Sequence, residues 1–166
     1  MAKKHGDVAR TVLKYEGRFN FKDLYEFFFD VVAANGYVVT DEAFAQKEKD
    51  VGDEVEIEWE FSREVDDYTK FEIWVGFYVS ELTEVIVKKD GAEVKTNEGS
   101  IKIVVKGQVI TDWQGLWESN KFLLKLRDFY ERYFFKGTLD DYEVDVYNDI
   151  FLFENEVKSF LHQPRF

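Results

Sequence analysis

Apolar and polar positions alternate along residues 8–19, with Ala9, Thr11, Leu13, Tyr15 and Phe19 on one side and Arg10, Lys14, Glu16 and Arg18 on the other. A period of two predicts a strand with one buried face. Asn20 then supplies the short side-chain acceptor of a helix N-cap, and Asp23 suits the positive end of the helix dipole. Phe21, Leu24, Tyr25, Phe28 and Val32 follow at helical spacing, and Asn35-Gly36 predicts the stop, because Gly accepts the left-handed conformation beyond a helix end. Phe27, Phe29 and Val31 widen the apolar stripe beyond what packing on one sheet uses.

The period is two again from residue 37 to 112. Val55, Ile57, Trp59 and Phe61 alternate with Glu54, Glu56, Glu58 and Glu60. Asp66-Asp67 predicts a turn, after which Phe71, Ile73, Val75, Phe77 and Val79 share one face. Tyr68, Trp74 and Tyr78 lie on the other, so this strand is expected to be covered on both sides. Val85 and Val87 lead to Asp90-Gly91, a two-residue hairpin signal, and a short strand around Val94. Asn97-Glu98-Gly99 reads as another turn, and Ile101, Ile103, Val105 and Val109 as the inner face of a last strand. Short connections predict an antiparallel meander of about five or six strands.

Helical spacing takes over afterwards. Asn120 can cap a helix carrying Phe122, Leu126, Phe129, Tyr130 and Tyr133, and Lys136-Gly137 predicts its end or bend. Thr138 with Asp141 restarts a helix, with Leu139, Tyr142, Val146, Ile150, Phe153, Val157 and Leu161 on one face and Pro164 as the stop. The expected fold is α+β: a strand, a helix, the meander, then two long C-terminal helices packed on one face of the sheet. This order of elements resembles the helix-grip arrangement, in which a curved sheet wraps a long terminal helix. A single domain is expected over 1–166, with a tail at 1–7, the strand–helix–meander at 8–112 and a helical hairpin at 113–163.

Composition narrows the chemistry. The chain has 166 residues, no Cys, one Pro, two His and a net charge of −12. Disulfide scaffolds, thiolate metal sites and cysteine catalysis are excluded, and the absence of Cys fits a cytoplasmic setting. No apolar segment follows the charged N-terminus, so no signal peptide is expected. His5 falls in the expected tail and His162 in the last helical turn, at opposite ends of the chain. The four alternate glutamates stand about 6.8 Å apart, too far to share one ion easily, and Lys102 and Lys106 are expected to neutralise them from a neighbouring strand. Asp66, Asp67, Asp140, Asp141, Glu143, Asp145 and Asp149 read as solvated acids. No glycine-rich phosphate loop or nucleophile elbow occurs. No catalytic residue, cofactor or metal is expected.

Residues 121–136 carry Lys121, Lys125, Arg127, Arg132 and Lys136 against Asp128 and Glu131, a local charge of +3, whereas residues 138–157 carry seven acids and no base. A turn at Gly137 would set the two segments against each other. A partner-binding set follows from surplus apolar and basic surface: Phe27, Phe29, Trp74, Tyr78, Lys121, Lys125 and Arg132. Trp59, Trp113, Trp117 and Phe153 are the candidates for lining a cavity between sheet and helices. The expected function is a non-catalytic structural or assembly subunit that binds itself or another protein. The alternative is a helix-grip-like carrier of a small hydrophobic molecule. Nucleic-acid binding and stable membrane insertion are not expected, because the net charge opposes polyanions and anionic lipid.

Overall fold

A computed structural model describes residues 2–162. Strand β1 (Lys3–Phe19) is followed by helix α1 (Phe21–Ala34) and strands β2 (Val38–Lys47), β3 (Asp53–Glu64), β4 (Thr69–Lys89) and β5 (Ala92–Thr111). A helix then runs from Lys121 to His162 in three parts: α2 (Lys121–Tyr130), a π-helical turn (Glu131–Phe135) and α3 (Lys136–His162). The strands form one antiparallel sheet in the order β1-β5-β4-β3-β2. The fold is α+β, one antiparallel sheet with a single long C-terminal helix.

Four strands follow α1 rather than five or six, because β4 and β5 each run unbroken through segments that read as breaks. Asn97 and Gly99 do not turn the chain. Asn97 pairs with both Phe19 and Glu84, and its side chain accepts a hydrogen bond from the Phe21 amide at 3.2 Å, capping α1 beside Asn20. Gly99 faces a bulge in β4, where Glu81 has φ 57° and a Cβ at 99 would lie 3.0 Å from the Ser80 carbonyl oxygen. Asp90-Gly91 does form the expected hairpin, with φ values of 49° and 80°.

The N-terminal tail is also a correction. Lys3, Lys4 and His5 pair with Thr111, Ile110 and Val109, so β1 extends the sheet from Lys3. So is the helical hairpin: Gly137 lies inside α3, and residues 112–120 form turns before Asn120 caps α2 by accepting from the Leu123 amide at 2.9 Å. One Gly costs a helix about 1 kcal/mol. Burial of Phe135 before it and Val146 and Ile150 after it outweighs that. The stop expected at Pro164 lies outside the described residues.

The core forms between the inner sheet face and the two helices. Trp59, Phe61, Phe71, Phe77, Ile103 and Val109 face Leu24, Phe28 and Val32 of α1 and Val146, Ile150, Phe153 and Val157 of α3, all of them buried. Gly107 marks where α3 comes closest to the sheet: a Cβ there would sit 2.6 Å from Val146 Cγ1 and 2.7 Å from Ile150 Cδ1. At Gly137 a Cβ meets nothing within 4 Å. The two glycines should therefore respond oppositely to alanine. Gly107→Ala is expected to destabilise by about 1–3 kcal/mol through overpacking, and Gly137→Ala to stabilise by up to about 1 kcal/mol. Denaturant unfolding at sub-micromolar protein measures both.

Candidate docking face

The described residues of the long helix number 42, and only part of them rests on the sheet. No residue of α2 is buried. Its anchorage comes instead from the π turn and the preceding loop. The wider π turn aims both Glu131 and Phe135 at the body of the protein, and both are buried. The Phe135 ring meets Tyr68 edge-on at 5.3 Å.

Glu131 is the centre of a polar cluster built from four distant pieces of chain. Its carboxylate accepts hydrogen bonds from Lys3 Nζ at 2.5 Å, Thr111 Oγ1 at 2.6 Å and the Tyr68 hydroxyl at 2.7 Å. His5 Nε2 lies 2.8 Å from Thr111 Oγ1 and 4.0 Å from Glu131. Beside the cluster, Asp112 follows β5 with φ 52°, is buried, and pairs with Arg127 of α2 at 3.1 Å. The Trp113 indole donates to the Asp66 carbonyl at 3.0 Å, and Trp117 stacks on Tyr130 at 5.8 Å. Strand ends, the β3–β4 hairpin and the loop therefore all grip the helix near one turn. The ten residues of α2 run roughly 15 Å onward from it.

Protonation follows from these contacts. Burial disfavours the charged form of Glu131, yet bonds from Lys3, Thr111 and Tyr68 and the Lys3 charge outweigh it and hold the carboxyl below its ordinary value. Burial likewise opposes the Lys3 charge, but Glu131 and Asp128 raise its pKa overall. His5 is shifted down, first by burial and then by the charges of Lys3 and Arg127, against the pull of Glu131. Burial and the bond to Glu131 raise Tyr68. Every oxygen of the Glu131 carboxylate is engaged, so the cluster acts as an anchor. Among the described residues, no group of three or more His, Asp or Glu could hold a metal ion.

With its inner side pinned, the helix turns an aromatic face outward. Phe122 is 71% exposed, Phe129 52%, Tyr133 64% and Phe134 72%, and Leu126 of the same helix is also exposed. Val144, Tyr147 and Leu152 continue the exposed apolar surface along α3. Among the described residues, no ion pair occupies Lys121, Lys125, Arg132 or Lys136. The spacing places Phe122, Leu126, Phe129, Tyr130 and Tyr133 on a helix expected to pack on one face of the sheet. Phe134, Val144, Tyr147 and Leu152 were missed, although Phe122, Tyr133 and Val144 recur every eleven residues, close to three helical turns.

The other expected partner-binding residues lie elsewhere. Phe27 packs on Phe160 at 5.0 Å, and Phe29, 38% exposed, lies 6.1 Å from Phe61. Trp74 and Tyr78 come together on the outer sheet face, both within 3 Å of where a Gly76 Cβ would be. Lys106 lies over Trp74 at 4.4 Å and Lys102 over Tyr78 at 5.6 Å. These lysines do not form a cross-strand row against the glutamates, since β4 separates β5 from β3. Instead the Tyr78 hydroxyl donates to Glu58 at 2.8 Å, and burial with that bond pushes the phenol up to about 12. Of the expected cavity residues, Trp59 and Phe153 are packed in the core against Phe28, whereas Trp113 and Trp117 sit on the loop before α2. The four do not line one cavity. His162 ends α3 near Tyr15, with ring centres 6.2 Å apart. No helix among the described residues is long and apolar enough to cross a membrane.

No protein-family model and no curated protein sequence matches this chain.

The cluster predicts a two-step loss of stability in acid. Both His5 and Glu131 have folded-state pKa values below their unfolded ones, so each contributes stability above its unfolded value and loses it as pH falls through the folded value. The His5 step begins just below about 6.5 and the Glu131 step below about 4.5. Glu131→Gln is expected to cost about 1.5–3 kcal/mol at neutral pH and to flatten the lower step. His5→Gln should remove only the upper one. Unfolding curves between pH 3 and 8, values on the order of one unit apart, check both windows.

Proposed function

We propose that the protein is a non-catalytic assembly subunit that docks on protein through the outward face of its long helix. The observation that carries this reading is the exposure of Phe122, Phe129, Tyr133 and Phe134, each more than half open to solvent on a helix clamped from its other side. Monomeric proteins rarely expose contiguous apolar patches above a few hundred Å² unless something binds there. Rim charges at Lys121, Lys125, Arg132 and Lys136 favour an acidic protein surface as the counterpart.

The non-catalytic part of the reading draws on the Glu131 cluster, whose titratable groups satisfy one another beneath the helix. The net charge of −12 speaks against nucleic acid and anionic lipid as partners, and the lack of cysteine supports a cytoplasmic setting. A carrier function draws no support from Trp59 and Phe153, whose rings are filled around by Phe28, Phe61, Phe77 and Tyr37.

Phe129→Asp and Tyr133→Asp test the assignment. Both side chains are exposed, so unfolding free energy should change by no more than about 0.5 kcal/mol. The mass of the assembly isolated from the protein's own cells, measured by light scattering, should drop. A monomeric mass for the wild-type protein in that preparation, or an unchanged assembly in both variants, would overturn it.

A further inference from the structure

The long helix carries opposite charge on its two halves and cannot fold back to bring them together. Lys121 and Glu156 are separated by 35 residues of continuous helix, about 50 Å. Asp140, Asp141, Asp145 and Glu156 are exposed, and among the described residues no ion pair occupies them. The buried face of α3 holds Val146, Ile150, Phe153 and Val157, so Val144, Tyr147, Asn148, Leu152 and Asn155 look away from the sheet. Exposed apolar residues thus occupy both the basic half and the acidic half, on the side of the helix opposite the core.

We infer that the occupant of this face is a second copy of the chain, its long helix laid antiparallel across the first with the two-fold axis between Thr138 and Leu139, next to Gly137. The inference rests on the docking reading above and names its partner. An isologous interface needs a surface complementary to itself, and an antiparallel pair sets the basic half of each copy on the acidic half of the other. One register satisfies charge and apolar positions together. It places Lys121 opposite Glu156, Arg132 opposite Asp145 and Lys136 opposite Asp141, each pair occurring twice. The same register sets Leu126 opposite Phe151, Tyr130 opposite Tyr147 and Tyr133 opposite Val144. Phe122 and Phe129 fall opposite Asn155 and Asn148, wedged towards Leu152 and Phe151. At the crossing, Gly137 has open space outside it and no side chain to hold the helices apart.

The absence of native cysteine makes single-cysteine probes clean. Gly137→Cys should be joined efficiently to its own copy by a short bis-maleimide. Phe122→Cys should not, because its two copies stand about 50 Å apart in the antiparallel pair. Mixing Phe122→Cys with Asn155→Cys subunits should give a crosslinked heterodimer. In sedimentation equilibrium, Arg132→Asp is expected to weaken dimerisation at least fivefold, and Arg132→Asp/Asp145→Arg to restore it. Self-crosslinking of Phe122→Cys would overturn the antiparallel arrangement. A purified wild-type chain that stays monomeric at high micromolar concentration would overturn the dimer. If the protein from its own cells is nonetheless part of a larger assembly that Phe129→Asp disrupts, the docking reading survives that result; if it is monomeric there too, both fall.

Discussion

Two close approaches decide where the long helix lies, and most of the rest depends on them. At Gly107 the missing Cβ lets Val146 and Ile150 descend onto β5, which fixes the height and direction of α3 over the sheet. Further toward the helix N-terminus, Glu131 is bonded to Lys3, Tyr68 and Thr111 at the ends of three strands. A rod held at two points has no freedom left in its remaining length, so α2 is carried onward with its outer side bare. The aromatic residues there are exposed because the helix they belong to is pinned from its other side.

A buried carboxylate is a costly anchor compared with an apolar residue, since its charge must be taken out of water. The return is directional. Three donors from separate elements meet one carboxylate at defined distances, and slipping the helix by a single residue would leave all of them unpaired in a closed space. Asp112 and Arg127 repeat the device one step further out. Ordinary apolar packing at Phe135 sets how tightly the helix sits, and the charged contacts set its rotation, which determines the face that remains outside.

Charge is handled differently on the sheet. Its outer face is closed by aromatic rings with lysines laid over them at Trp74 and Tyr78, and by Glu58, which accepts from the Tyr78 hydroxyl. Those rings are already half covered within the chain. The distinction between Trp74 and Phe129 is one of surroundings: the first has neighbours on adjacent strands, and the second meets Tyr133 and Phe134 of its own helix and is 52% exposed.

The strand faces, the first helix with its Asn20 cap, the Asp90-Gly91 hairpin and the α+β class were all legible in the sequence, because each depends on contacts within a few residues or on a simple period. The breaks were not. Asn97, Gly99 and Gly137 carry the chemistry of turns, and only the surrounding structure shows that Asn97 caps a distant helix, Gly99 clears a bulge and Gly137 is carried through by the packing on either side. The Glu131 cluster had no local signature, since its partners stand up to 128 residues away and look like ordinary surface residues. The aromatic stripe from Phe122 to Tyr133 was visible as a pattern, but amphipathic spacing is the same whether a helix faces its own core or a partner. Whether the stripe lies against the chain's own core or open to solvent depends on whether the helix bends at Gly137, and that was decided by long-range packing at Gly107 and Glu131.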